Sequence, residues 1–405
     1  MTFEEKTIGQ LTTFSNNLRK PVTKSDREGG SYPYYGAAGI QDFVADYLFD
    51  GEYILVGEDG TVLSNGEYPV VQRVAGKFWV NNHAHVIRPL AMSDFDFLYY
   101  SLVGTKVKNL VTGAVQPKLS MTNLKSLEIL WPNDSDTRRV IGRTLNFLDE
   151  KIAINKKLSK TMEDIAQTIF KSWFVDFDPV KAKMAGEEPV GMDAATAALF
   201  PDSMEDSELG LIPKGWKSVA LDNFASVRYG APFASKLFNV SAVGSPLIRI
   251  RDLKNQSIAT WTTDRLAKGF FVKAGQLLVG MDGEFNPTLW FGEDSLVNQR
   301  ICLIDNNQEI SSLYLYFSLL PIMKRIEHGS TGSTVIHLGK SDIDAIRIMH
   351  PGIELLENYK TIVSPMLDEI VSLSKQSRNL QLIRDVLLPR LISGELQIPE
   401  EMLAS

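Results

Sequence analysis

The sequence predicts an α+β fold: two mixed α/β domains related by pseudo-twofold symmetry and separated by a long antiparallel two-helix coiled coil. Three observations predict it. Two long segments carry a narrow apolar stripe, a strand-rich segment precedes each of them, and one constant offset in residue number relates the two halves.

The first striped segment runs from Asp136 to Val175. Ile141, Leu145, Leu148 and Ile152, then Leu158, Met162, Ile165, Ile169 and Trp173, recur at three- and four-residue steps, with one slip near Asn155. No proline interrupts it, so it should form a rod on the order of 60 Å long. Such a stripe needs a second helix laid along it. Leu356, Tyr359, Val363, Met366, Ile370, Leu373, Leu380, Leu387 and Leu391 keep the same steps near the C-terminus. Pro365 lies inside this second pattern and should kink it or mark its true start. Periodicity alone serves equally well for two unrelated amphipathic helices, each lying on its own core.

Composition narrows the class. With 44% apolar and 22% charged residues among 405, the chain has the make-up of an ordinary folded protein with room for two or three cores. Cys302 is the one cysteine, which rules out an internal disulfide and a cysteine-based metal cluster. Met1 to Gln10 is polar and acidic, unlike a signal peptide, and no apolar run reaches membrane-spanning length, so a cytoplasmic protein is expected. A net charge of −7 argues against coating nucleic acid by charge alone, so any nucleic-acid site must be a local basic patch.

Residues 1–133 are rich in short strands: Tyr53 to Gly57, Tyr68 to Val74 and Phe78 to Val80, with a short helix expected over Ser93 to Val103. The segment closes with TGAVQPKL, Thr112 to Leu119, and a strand ending at Trp131 and Pro132. Residues 205–352 repeat the plan. YILVGEDG (53–60) is answered by QLLVGMDG (276–283), NNHAHVI (81–87) by VNQRICL (297–303), and FLYYSL at Phe97 by LYLYFSL at Leu313. Gly113 and Gly332, Leu119 and Leu338, Pro132 and Pro351, and Leu148 and Leu367 all differ in number by 219, whereas Asp59 and Asp282 differ by 223. A constant offset signals duplication, and two copies about a twofold make their helices antiparallel. Between the halves, Asp178 to Gly210 is rich in proline, glycine and acidic residues and reads as an exposed connector with one short helix near Ala194 to Leu199.

Catalytic patterns fail on inspection. Gly339-Lys340-Ser341 lacks the phosphate-loop glycine where Thr334 stands. Asp178-Pro179 and Asn286-Pro287 lack the second proline of a methyltransferase base-gripping loop, having Val180 and Thr288 instead. His83 and His85 share a strand face but have no third zinc ligand, and their counterparts Gln299 and Ile301 cannot bind zinc, so DNA contacts or plain polar strand residues fit them better. Asp282 with Glu284, like Glu58 with Asp59, reads as a turn and not as a nuclease metal pair, so no metal is expected.

The basic residues suggest what is bound. Arg249, Arg251 and Lys254 alternate on a strand and its loop; Lys106 and Lys108 precede the first glycine turn, which itself carries Gln116 and Lys118. Lys324, Arg325 and His328 precede the second turn, GSTGSTVIHL. Such cations suit phosphates, while His83, Gln116, Asn298, Gln299 or Arg300 suit base edges. For each residue alone a solvated charged face is at least as good a reading; the two corresponding clusters together favour double-stranded DNA.

Over essentially its whole length the chain resembles the specificity subunits of Type I restriction-modification enzymes. The resemblance rests on IPKGW at Ile212 to Trp216, the TGAVQPKLSM turn and its counterpart, IFKSWFVDFDPV at Ile169 to Val180, and LLPRLISGEL at Leu387 to Leu396. The first domain lacks the Pro-Lys-Gly-Trp opening and starts at Phe3, the counterpart of Trp216. The resemblance implies target-recognition domains at 1–133 and 205–352, a central helix with connector at 134–204 and a distal helix with tail at 353–405. It implies no catalytic activity and no cofactor in this chain. Two modification subunits would carry S-adenosylmethionine, and restriction subunits would use ATP and magnesium. Each domain would read half of a split site, with helix length fixing the gap. A specificity subunit serving a combined nuclease-methyltransferase, or a coiled-coil scaffold without a DNA role, are the alternatives.

Overall fold

The computed structural model describes residues 2–27, 29–113, 115–207, 210–329 and 336–403. Gly332, Thr334 and most of the second glycine turn lie outside them. The chain divides into two compact units, Met1–Ile152 with Asn379–Ser405, and Ala153–Arg378. Two 40-residue helices, α1 (Ser135–Phe174) and α2 (Ile353–Ile392), each contribute to both units.

In the first unit the strand Phe3–Thr7 pairs antiparallel with Glu128–Pro132, placing Glu4 opposite Trp131. A four-stranded sheet follows in the order Thr12–Phe14, Ala84–Pro89, Tyr53–Gly57, Val71–Val74. A second sheet joins Gly39–Val44, Tyr32–Gly36, Lys77–Val80 and Phe49–Asp50. The helix Phe95–Gly104 buries Phe97, Leu98 and Leu102 against Ile141 and Leu145 of α1 and Leu388 and Leu391 of α2. Gly142 makes that contact possible, because a Cβ there would lie 2.7 Å from the Phe97 nitrogen.

The second unit has the same plan. Lys217–Ala220 pairs with Arg347–His350, Lys217 opposite His350. The larger sheet runs Ala225–Tyr229, Ile301–Asn306, Leu277–Gly280, Pro287–Leu289. Since Trp131 and His350 are related by the constant offset, Glu4 corresponds to Lys217, which makes Phe3 the structural counterpart of Trp216. Trp216 packs on Phe174 and Phe177 at 6.0 and 5.6 Å between ring centroids. Phe3 instead lies against Gly394, whose φ of 74° and lack of a side chain let the aromatic ring approach.

Strand pairing corrects one expected correspondence. Ala84 lies opposite Gly57, and Ile301 lies opposite Gly280, the counterpart of Gly57 in the second copy. Asn81 therefore matches Asn298, His83 matches Arg300 and His85 matches Cys302, one residue away from the alignment of NNHAHVI with VNQRICL. A slip of one would turn every side chain to the wrong face of the strand.

The helix seam also differs from the apolar count. Leu158 and Ile165 are 40% and 44% exposed and lie outside it. Its positions on α1 are taken by Asn155, Ser159, Met162 and Ala166, with Asn155 and Ala166 buried. Three- and four-residue steps thus continue without a slip once polar residues are admitted. On α2, Ser377 and Arg384 likewise fill positions between Leu373, Leu380 and Leu387. Tyr359 Oη donates to the Ala166 carbonyl at 3.2 Å, and Arg384 Nη1 is 2.6 Å from Asp149 Oδ1. In the second unit Asn155 pairs with Gln376 and Ala166 with Tyr359, so rising number on α1 meets falling number on α2 and the pairing there is antiparallel. Pro365 neither starts nor interrupts α2: it is exposed, as is Thr361, so the carbonyl that loses its helical donor lies on the solvent side of the helix.

The segment after α1 is no free connector. Pro179 starts a helix over Asp178–Met184, where its missing N–H costs nothing. A second covers Ala194–Ala198, capped by Asp193. Val180 and Phe200 are buried in the same core as Trp173 and Trp216.

Candidate nucleic-acid interface

In the first domain the turns after Tyr32–Gly36 and Tyr53–Gly57 meet the residues before Ala84 and the turn at 112–118. They form a cleft of about 340 Å³ whose walls include Ile40, Gln41, Asp59, His83 and Gln116. Asp59 is held twice, by backbone pairing with Lys118 and by His83 Nδ1 on its Oδ1. The His83 backbone N–H donates to Asn81 Oδ1 at 2.8 Å, fixing the loop before the strand. Gln116 and Lys118 are exposed. Val115, just before Gln116, is 99% exposed.

Beneath the cleft lies a polar network that the sequence did not reveal. Arg19 Nη1 donates to Glu58 Oε2 at 2.6 Å and to the Ala84 carbonyl at 2.7 Å. His85 is fully buried, with Asn16 Nδ2 2.8 Å from its Nδ1 and the Leu119 carbonyl 2.7 Å from its Nε2. A carbonyl only accepts, so Nε2 carries the proton and Nδ1 accepts from Asn16. Burial pushes the His85 pKa below its ordinary value and keeps the ring neutral. The network ties the 112–119 turn to the sheet. Its members are scattered from 16 to 119, and only the His-Ala-His alternation gave any signal of it.

In the second domain the same framework carries different side chains. Asp282 pairs backbone-to-backbone with His337, the counterpart of Lys118 by the constant offset, and its Oδ1 is 2.7 Å from His337 Nδ1. Arg300 Nε is 3.3 Å from Asp282 Oδ2. The Asn298 Oδ1 accepts from Gln299 N at 2.7 Å, and Gln299 and Arg300 are exposed. Below them the polar network has no equivalent among the described residues: Met281 stands for Glu58 and Cys302 for His85. The Cys302 thiol is buried and its pKa is pushed up to about 12, so it is not a nucleophile at neutral pH.

The other expected cations sit on other elements. Lys106 Nζ is 2.7 Å from Glu67, and Lys108 is exposed beside them. Arg249 and Arg251 do not alternate on a strand. The strand ends at Ile248, and Asp252 turns the chain by accepting from Arg249 N at 2.9 Å. Arg251 Nη2 is 3.2 Å from Thr260 Oγ1, while Lys254 is exposed. Lys324, Arg325 and His328 lie on the last two turns of Ser312–Gly329, where the helix dipole favours cations, and all three are exposed. Among the described residues no group of three His, Cys, Asp or Glu side chains is placed to hold a metal ion, and no helix is long and apolar enough to cross a membrane.

Two copies of one α/β domain, each joined to a long helix and each offering different polar side chains at equivalent loop tips, define a paired recognition protein. Residues 1–164 and 213–379 match the Type I restriction modification DNA specificity domain, and the chain belongs to that family. Its role is DNA sequence specificity in a Type I restriction-modification system. It is 27% identical over 387 residues to the Type I restriction enzyme HindI specificity subunit of Haemophilus influenzae, covering 82% of this chain and 84% of that protein. The MjaIX specificity subunit of Methanocaldococcus jannaschii is 25% identical over 437 aligned positions, covering 98% and 93%. The crystal structure of a Type I restriction-modification S subunit from M. genitalium superposes with a TM-score of 0.63 at 16% identity, over 98% of this chain and 97% of that one, and so shares the fold.

Proposed function

We propose that this chain is a non-catalytic subunit that reads a split, asymmetric DNA site. Each recognition domain takes one half, and the lengths of α1 and α2 set the number of unread base pairs. The observation that carries this reading is the pair of equivalent loop tips, Asp59 with His83 and Asp282 with Arg300. They share a backbone frame while the groups offered to a ligand differ, as two readers of different sequences require.

The helices support a partner. Beside the pairing seam, α1 exposes Ile154, Leu158 and Ile165, which with Thr161 and Thr168 form a second stripe at three- and four-residue steps. Thr161, Ile165 and Thr168 border a shallow groove of about 310 Å³. In the first unit α2 exposes Leu382, Ile383 and Val386. A helix of a modification subunit suits such a stripe. Two modification subunits would bring S-adenosylmethionine and part of the phosphate-binding charge that a chain of net charge −7 lacks. Restriction subunits would bring ATP and magnesium, and the assembly would work in the cytoplasm.

Methylation mapping of DNA from cells expressing the chain with its partner subunits tests this. Two short specified halves around a fixed unread gap are expected; one contiguous site, or no modified site, refutes the reading.

A further inference from the structure

Asp282 is gripped on both oxygens, by His337 Nδ1 at 2.7 Å on Oδ1 and by Arg300 Nε at 3.3 Å on Oδ2. The backbone on either side is equally fixed. Met281 N donates to the Arg300 carbonyl at 2.9 Å, Gly280 lies opposite Ile301 on the neighbouring strand, and Asp282 pairs with His337 across the turn. With its backbone paired on both sides and His337 on Oδ1, this carboxylate is a post against which the arginine is set.

A guanidinium is planar, with five N–H donors in a rigid fork. The Nε contact is an ion pair that draws the guanidinium to the carboxylate and leaves the edge formed by Nη1 and Nη2 available. The Arg300 side chain is 54% exposed, and its Nη atoms have no partner among the described residues. A single carboxylate contact through Nε engages only one side of the guanidinium. It leaves the geometry that matches two adjacent acceptors in one plane. In duplex DNA that pattern is the O6 and N7 pair of guanine in the major groove; adenine and cytosine present an amino donor that repels the fork.

The first domain serves as an internal control. There the equivalent aspartate, Asp59, is held by His83 and by Lys118 backbone pairing, and Asp59 Oδ2 has no partner among the described residues. The frame is the same, yet the side chain that meets the aspartate is an imidazole with one remaining nitrogen, which cannot form the two-toothed contact. A loop salt bridge kept only to stabilise the turn would gain nothing from replacing the cation in one copy while keeping the carboxylate in both.

We infer that Asp282 is a positioning residue that presents the Arg300 fork to a guanine in the half-site read by the second recognition domain. This rests on the split-site reading above. The test is methylation mapping with full-length chains and their partner subunits, comparing the unaltered chain with Arg300→Ala, Arg300→Lys and Asp282→Asn, alongside thermal melting of each purified chain. One guanine position in one half-site is expected to lose its selectivity by roughly ten- to a hundredfold in Arg300→Ala. Arg300→Lys, which keeps the charge and loses the fork, and Asp282→Asn should relax the same position, and the other half-site should stay as it was. The inference is overturned if melting is unchanged and Arg300→Ala alters no position, or alters one that is not guanine. Selectivity lost in Arg300→Ala but kept in Asp282→Asn removes the positioning role. If the unaltered chain directs no modification at all, the split-site function itself fails.

Discussion

Asn155 Nδ2 donates to Gln376 Oε1 across the helix pair at 2.7 Å, and Asn155 is 1% exposed. A buried amide in a largely apolar seam selects one register, because only there does it find its partner, and it costs stability. Asn155→Leu is accordingly expected to raise the stability of the second unit by about 1 kcal/mol while loosening the register. Urea denaturation reads the first effect. The second is read by cysteine crosslinking between α1 and α2, where pairs one heptad out of place should become reactive. A less stable variant with unchanged crosslinks would contradict both.

Helix length should be the ruler. Removing one heptad from each of α1 and α2, in matched places, shortens the pair by about 10 Å, or roughly three base pairs of duplex. Mapping of modified sites should then show a changed gap between two unaltered halves. An unchanged gap with altered halves would assign the spacing to something else.

The exposed stripe on α1 is expected to bind a partner and to contribute little to the fold. Ile154→Glu with Leu158→Glu places charge where 57% and 40% of each residue is already in water, so melting should shift little. Co-purification with the modification subunit should fall at least tenfold. Retention of the subunit at wild-type yield would show that another surface holds it.

His85 makes the first unit sensitive to acid. Its folded pKa lies below the ordinary 6.5 because the ring is buried, with Glu58, Arg19 and Lys118 facing it. The unfolded chain therefore takes up the proton first. Stability is fully present above pH 6.5 and is lost as pH falls through that value toward the folded pKa, by at most about 1.4 kcal/mol per pH unit. Hydrogen exchange of the strand Ala84–Pro89 at pH 7.5 and 5.5 follows it. The slope should vanish in His85→Gln; its survival there would place the titrating group elsewhere.

The helices and the duplication are legible in the sequence because a period sustained through two 40-residue helices, and an offset repeated at four positions, survive local noise. The details that differ have physical causes. A stripe traced through apolar residues alone takes in Leu158 and Ile165, whereas the seam runs through Asn155, Ser159 and Ala166. Two short strands that are apolar on both faces can be aligned in either register, and only backbone pairing sets His83 against Arg300 and not Gln299. Prolines and glycines make 178–210 read as connector, although Val180 and Phe200 are apolar anchors of a core. Arg19, Glu58 and His85 converge only through the sheet, and no linear pattern announces that.

Phe3 closes onto Gly394, and the first unit draws its core from both Ile8 to Leu145 and Leu388 to Ile398. The second unit is one uninterrupted stretch. During synthesis the later-made unit can therefore finish folding first, while the earlier-made one waits, with its apolar face open, for residues 379–405. A chain truncated after Arg378 should hold a protease-resistant second unit and a protease-sensitive first one.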